Sequence, residues 1–247
     1  MMKKHLLLWH VGLGDAVMCH GLVRSLVERY GDLTLPVLPP YANSIRWMFC
    51  DDPRIEFIVL EGWNKIIDDL EIHRRHISNW IDTSNYYVTS IGFLNESDRL
   101  FDGSSDPIDV RFYKQANVPW EAKYTKVKFL KAPNQISVPD VPYAFIHEDP
   151  TRNLLIDHSL VSNSLLKVYA TDYHVDNIFQ YSDLLRNASE IHVIDSSFAN
   201  IVEVWGIPCK KFLYDAKHIR FCQGWPAYRR DWIVCETYTS SNLWQSK

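Results

Sequence analysis

The chain has 247 residues, 47% of them apolar and 23% charged, with a formal net charge of −4. That length allows one large domain or two small ones, with a core that buries roughly 70–75% of the extended surface. The charge argues against a general nucleic-acid surface, and basic doublets such as Lys3-Lys4 and Lys210-Lys211 are short enough to read as solvated.

Residues 5–11 form a short apolar run and read as a buried strand, which breaks at Gly12-Leu13-Gly14-Asp15. Residues 16–30 carry Val17, Leu22, Val23, Leu26 and Val27 at helical spacing and stop before Gly31. Residues 33–38 are a second strand closed by Pro39-Pro40, 41–50 a short helix and 55–60 a third strand. The pattern over 63–79 is mixed and mainly helical, 86–93 reads as a strand and 108–116 as a helix. Residues 131–142 hold three prolines and no clear period, which makes them the linker candidate and divides the chain into 1–135 and 136–247.

After this break the alternation restarts. Residues 143–147, 153–157 and 165–169 read as strands, 176–187 as a helix, 191–195 as a strand, 196–205 as a helix and 211–214 as a further strand. The tail holds Trp225, Trp232 and Trp244 and is expected to pack back onto the body. Strand–helix alternation in both halves predicts an α/β protein with parallel sheets. In such sheets ligands bind at the C-terminal strand ends.

Three strand ends carry polar residues suited to a ligand. In Gly12-Leu13-Gly14-Asp15, two glycines permit a tight turn and a close backbone approach. A dinucleotide fingerprint would need a third glycine where Val17 stands, and there is no Lys-Ser/Thr pair for a Walker loop. Asp15 is either a helix cap or a base poised over a cleft. In the loop from His147 to Arg152, the guanidinium of Arg152 is either a forked partner for a pyrophosphate or half of an exposed ion pair. Asp195-Ser196-Ser197-Phe198 joins an apolar strand to a helix N-terminus. It offers either an ordinary serine cap or a seat for a diphosphate built from hydroxyls and backbone N–H groups. Glu203, about two turns into that helix, is either a ribose contact or solvated.

The histidines match no metal motif, and Asp51-Asp52 and Asp68-Asp69 lack the spacing of a Mg²⁺–diphosphate pair, so metal-independent chemistry is expected. The five cysteines are irregularly spaced and are expected to be reduced thiols of a cytoplasmic protein. The apolar stretch after Lys3-Lys4 has no cleavage pattern and is not read as a leader, and no run approaches the roughly 20 apolar residues of a membrane span. Nine Trp and thirteen Tyr suit a sugar-binding cleft, although packing in a core is their commoner use.

His10-Val11-Gly12-Leu13-Gly14-Asp15-Ala16, followed by an amphipathic helix, resembles the N-terminal loop of heptosyltransferase-like glycosyltransferases of the GT-B fold. Asn187-Ala188-Ser189-Glu190-Ile191-His192-Val193-Ile194-Asp195-Ser196-Ser197-Phe198 resembles their donor-binding segment and the corresponding segment of GT-B fucosyltransferases. Arg111-Phe112-Tyr113-Lys114-Gln115-Ala116-Asn117-Val118-Pro119 is similar to a segment of small bacterial and viral glycosyltransferases.

The resemblance implies two Rossmann-like lobes facing across a cleft, with the acceptor mainly in the N-terminal lobe and a nucleotide-diphosphate sugar in the C-terminal one. It implies inverting transfer to a carbohydrate hydroxyl with Asp15 as base and no cofactor. Gly14, His147, Arg152, Asp195, Ser196, Ser197 and Phe198 would then lie on the donor-diphosphate side, with Glu203 as a candidate ribose contact. The rival readings are a non-catalytic nucleotide- or sugar-binding module on the same fold, and a sugar-nucleotide-modifying enzyme such as an epimerase or dehydrogenase.

Overall fold

A computed structural model describes residues 3–10, 12–61, 81–92, 106–215, 228 and 230–236. The chain divides into two compact units, Met1–Lys128 and Phe129–Lys247. The proline-rich residues 131–142 belong to the second unit. They are tied there by backbone bonds from Ala132 N–H to Phe179 O and from Ile136 N–H to Gln180 O. The helical pattern expected over 63–79, and Trp225 and Trp244 of the tail, fall outside the described residues.

In the first unit, β1 (Lys4–Leu8), β2 (Leu33–Val37), β3 (Ile55–Val59) and β4 (Tyr86–Ser90) form one parallel sheet in the order β3-β2-β1-β4. Leu6, Leu7, Leu33, Leu35 and Val37 are fully buried, as central strands covered on both faces require. Trp9, just past β1, is also fully buried, and its indole N–H donates to Pro36 O at 2.8 Å.

The segment expected as one helix over 16–30 is two, α1 (Leu13–Met18) and α2 (His20–Tyr30). They meet at Cys19, whose φ of −87° and ψ of 4° leave helical geometry. Tyr113, on α4 (Ile108–Gln115), bridges this break. Its hydroxyl donates to Met18 O at 3.0 Å and accepts from Leu22 N–H at 3.1 Å. The backbone groups freed by the interruption are therefore paired inside the core, where an unpaired group would be costly. After the second strand comes α3 (Ala42–Met48), and after α4 the short α5 (Ala122–Thr125). Helix α2 passes so close to α5 that a Cβ on Gly21 would lie 1.9 Å from Ala122 O, so only glycine fits. Behind α4, Asp109 and Lys123 form a fully buried ion pair at 2.6 Å, with Trp120 Nε1–H donating to the same carboxylate.

In the second unit, β5 (Tyr143–His147), β6 (Leu166–Tyr169), β7 (Glu190–Ile194), β8 (Lys210–Asp215) and β9 (Trp232–Glu236) form a second parallel sheet in the order β6-β5-β7-β8-β9. The residues 153–157 expected as a strand contribute only an isolated bridge between Asp149 and Leu154. The helix expected over 176–187 is a capped 3₁₀ turn, Ile178–Tyr181, followed by α6 (Ser182–Asn187). Helix α7 (Ser197–Trp205) follows β7 directly and ends at Gly206, whose φ of 62° suits glycine. One core cluster gathers Ala144, Ile146, Ile194, Phe212 and Tyr214 with Ile156 and Val161. A second is aromatic, with Phe198 of α7 set edge-on to Phe145 and Tyr181.

Both sheets reverse direction beside their first strand. In the first unit the chain builds outward from β1 through β2 to β3, then returns to the other side of β1 as β4. In the second it goes from β5 to β6 and returns to the other side of β5 as β7. The C-terminal ends of β1 and β4, and of β5 and β7, are thus topological switch points, where the two loops part and leave a crevice.

Candidate functional site

At the first switch point, β1 delivers His10 and the Gly12 turn, and β4 delivers Gly92. His10 Nε2 lies 3.0 Å from Gly92 O, and the ring takes the edge of Phe112 with centroids 5.1 Å apart. Gly92 has a φ of +72°, and a Cβ there would strike the His10 ring at 2.6 Å, so glycine is required on both counts. Gln115 Oε1 accepts from Gly92 N–H at 2.7 Å, so α4 fixes this turn as well as the α1–α2 break.

Gly12 is the N-cap of α1, and Asp15 is its third helical residue. The Asp15 carboxylate turns back over Gly12 so closely that a Cβ there would lie 2.7 Å from Asp15 Oδ2. The same oxygen is 3.8 Å from His10 Nδ1, and the Asp15 side chain keeps 27% of its surface exposed. Gly14, beside it, is partly exposed. An accessible carboxylate and an imidazole thus stand together at the end of β1.

At the second switch point, His147 ends β5 and Asp195-Ser196-Ser197 leads from β7 into α7. Ser196 is the N-cap of α7 with an extended backbone, φ −162° and ψ 179°, yet its side chain makes no cap hydrogen bond. Its hydroxyl instead lies 3.2 Å from His147 Nδ1. The serine cap expected from the sequence is therefore diverted to a neighbouring strand end. That leaves the N–H groups of the first turn of α7 without a side-chain cap from this residue, at the positive end of the helix dipole. Burial pushes the His147 imidazole down to about 4, so it is neutral at pH 7.

Asp195 accepts from the Tyr228 hydroxyl at 2.7 Å, which brings part of the tail to this strand end. The Phe198 ring is 7% exposed and packs against Phe145, Tyr181 and His147, so what this residue offers a ligand is its backbone N–H. Arg152, in the 3₁₀ turn Pro150–Arg152, is exposed, with Nε 2.5 Å from Asp149 Oδ2. Asp149 also accepts from Thr151 and Arg152 N–H, so the loop is organised around that carboxylate.

Glu203 requires correction. A ribose contact or a solvated face was expected, but the side chain is fully buried and accepts from Trp232 Nε1–H of β9 at 2.8 Å. It anchors the last strand rather than facing a ligand.

The sequence reading passed over His10, Gly92, Gln115 and Tyr228 as individual contributors. His10 and Gln115 lie within the two N-terminal segments that carry the family resemblance, and Gly92 is the next-to-last residue of a predicted strand, so their signals were present in the pattern. Among the described residues, no three His, Cys, Asp or Glu side chains converge as a metal-holding group.

By sequence, no family model and no curated protein matches the chain. By structure, it is similar to a family 9 glycosyl transferase from Veillonella parvula, with a TM-score of 0.52 and 12% identity over 99% of this chain and 88% of that one. It is also similar to TibC, an iron-containing dodecameric glycosyltransferase from enterotoxigenic E. coli, with a TM-score of 0.51 and 10% identity over 87% of this chain and 58% of that one. At these identities the likeness is one of fold. The chain has the doubly parallel α/β fold of GT-B glycosyltransferases that the His10–Ala16 and Asn187–Phe198 segments implied.

Proposed function

We propose that the protein is a glycosyltransferase that moves a sugar from a nucleotide-diphosphate donor to a hydroxyl of a carbohydrate acceptor, by inverting, metal-independent displacement. One observation carries the reading. The turn holding an accessible carboxylate and the turn holding an anion-ready helix end each stand at the switch point of their own parallel sheet, in a chain with a glycosyltransferase fold.

In this reading Asp15 takes the acceptor's proton as its oxygen attacks the anomeric carbon. The bond from that carbon to the phosphate oxygen breaks, and its electron pair leaves with the nucleoside diphosphate. The developing charge meets the N-terminus of α7, where the dipole contributes about 0.3–2 kcal/mol beyond the hydrogen bonds from N–H groups and from the hydroxyls of Ser196 and Ser197. His147 is neutral and adds no charge; it orients Ser196. Arg152 adds positive charge by exchanging Asp149 for a phosphate oxygen. A cytoplasmic setting is part of this proposal. No helix among the described residues is long and apolar enough to cross a membrane.

The test starts with a thermal-shift panel of nucleotides and nucleotide sugars on the intact protein. A ligand at 100 times its Kd stabilises by about 2.7 kcal/mol, so a matching diphosphate stands out. Transfer from the matching donor is then assayed. Asp15→Asn lowers turnover by about 10²–10⁴-fold with diphosphate affinity unchanged, and near-wild-type turnover would remove Asp15 as the base. Arg152→Ala weakens diphosphate binding about tenfold or more by calorimetry, the loss of one charge-assisted hydrogen bond. Equal affinity takes it out of the site. Turnover persists in a chelator; loss reversed by a divalent ion refutes the metal-independent route. Diphosphate binding with no transfer to any acceptor would instead identify a binding module.

A further inference from the structure

We infer that residues 154–165 form a strap over the second sheet that acid releases, with the buried imidazole of His192 as its sensor. Parallel neighbours such as β5 and β6 are ordinarily joined through an α-helix. Here the connection carries two 3₁₀ turns instead, Pro150–Arg152 and His158–Leu160. Ile156 and Val161 supply the apolar cover, gathered in one cluster with Ile146, Ile194 and Phe212.

Two polar ties fasten the strap to the sheet. Ser162 N–H donates to Glu190 Oε2 at 3.2 Å, and the Tyr214 hydroxyl donates to Asp157 O at 3.3 Å. His192 is fully buried and touches both anchors. Its Nε2 lies 3.2 Å from Glu190 Oε2 and its Nδ1 2.9 Å from the Tyr214 oxygen, while Phe212 stacks on the ring with centroids 4.2 Å apart. Strand register explains the grouping, since Glu190 stands opposite Lys210, His192 opposite Phe212 and Ile194 opposite Tyr214. Alternate residues of a strand share a face, so all six belong to the same side of the sheet.

An ionised carboxylate only accepts, so the single hydrogen of the neutral ring sits on Nε2 and faces Glu190. Nδ1 is then an acceptor and shares the Tyr214 hydroxyl with Asp157 O. A second proton turns Nδ1 into a donor and places a positive charge on a ring cut off from water. Burial disfavours that charge, and lifting the strap hydrates it. Burial accordingly lowers the His192 pKa against the pull of Glu190, and Lys210 and His158 lower it further. The closed strap therefore binds the proton less tightly than the open one, whose hydrated ring titrates near 6.5. Closure is complete above about pH 6.5 and weakens as pH falls through the closed-state value.

The charged and titratable groups around the ring are Glu190 on β7, Lys210 and Tyr214 on β8, and Asp157 and His158 on the strap. On β5, Ala144 and Ile146 stand beside Glu190 and His192 and do not titrate. Burial raises the Tyr214 phenol and the nearby Cys235 thiol of β9, so neither changes charge in this range. His158 Nε2 lies 3.3 Å from Glu148 Oε2, and its protonation completes an ion pair within the loop that opposes release.

Hydrogen exchange on the intact protein, corrected for the intrinsic effect of pH, tests the strap. From about pH 7.5 to 5, protection within 154–165 falls about threefold or more in wild type, while 191–193 in β7 stays protected. Equal protection at both pH values, or an equal loss in β7, overturns the strap. His192→Gln offers Glu190 a donor and Tyr214 an acceptor but takes no proton, and its strap protection is expected to ignore pH. Release as large as in wild type overturns His192 as the sensor. His158→Gln keeps or enlarges the release, and its loss there would move the sensor to His158. The wild-type His192 ring, followed by NMR, titrates with the same midpoint as strap release; separate midpoints overturn the assignment without any variant.

Leu154 packs on the same core cluster and closes the Asp149 turn through two backbone bonds, so the turn that carries Arg152 is seated on the strap. A nucleotide-diphosphate sugar is therefore expected to bind about threefold or more weakly at pH 5 than at pH 7.5 in wild type, with a smaller change in His192→Gln. This consequence rests on the reading of Arg152 as a donor-side residue; the strap itself does not. Equal weakening in both proteins overturns the link to the donor side. Failure to bind any nucleotide sugar sinks the donor reading and leaves the exchange result to decide the strap.

Discussion

His147 ends a strand whose other four residues are buried, and the same burial that makes β5 a central strand keeps its imidazole neutral. His20 is pushed down to about 3 by burial and then by Arg24, whose Nε–H donates to the ring at 2.8 Å. Burial also lowers His192, against the pull of Glu190. In each case the folded pKa lies below the unfolded value near 6.5, so between those values the unfolded chain binds more protons and stability rises with pH. That stability is complete above about pH 6.5 and is lost as pH falls toward 4, before most carboxylates protonate. The melting temperature therefore drops across this window, and less steeply in His20→Gln. A flat profile from pH 6.5 to 4 contradicts the three assignments. At this scale the sequence was informative where a residue's role follows from its strand end. Asp15, His147 and Ser196 stand at strand ends, where the pattern puts them, and their roles there are what the proposed experiments test. The sequence was uninformative for Glu203, because helical spacing names a face but not what covers it. Trp232, from a strand far along the chain, covers it.

The break between α1 and α2 has no counterpart in the hydrophobic pattern, since Val17, Leu22, Val23, Leu26 and Val27 keep one periodicity through Cys19. What makes the break tolerable is a phenol from α4, almost a hundred residues later. Tyr113→Phe leaves Met18 O and Leu22 N–H without that partner inside the core and is expected to cost about 1–3 kcal/mol in urea unfolding, at unchanged m. A variant as stable as wild type would mean that the two helices do not depend on Tyr113. Strand β9 was missed for a related reason. Residues 232–235, partly buried and exposed at the edge of a sheet, give little alternation to read, and the strand's place beside β8 is set by tertiary pairing.

At the scale of the whole chain, the α/β alternation forecast two parallel sheets, but strand order lies beyond any local pattern. Which strand pairs with which depends on contacts between distant segments, and it is the order β3-β2-β1-β4 and β6-β5-β7-β8-β9 that sets these loops at topological switch points. Hydrogen exchange on the intact protein separates the roles of the units. A bound nucleoside diphosphate slows amide exchange at the ends of β5 and β7 and in the first turn of α7, and leaves β2 and α3 as they were. Slowing confined to the first unit would reverse the assignment of donor and acceptor sides.

The bond between Glu203 and Trp232 also bears on how the chain comes off the ribosome. Helix α7 emerges well before β9, so for some seconds of synthesis, at about 5–20 residues per second, the carboxylate waits for its indole and β8 presents an open edge. A product arrested before residue 232 is fixed in that condition. Sticky along one strand and lacking the Trp232 latch, such a fragment is a natural substrate for chaperones and proteases.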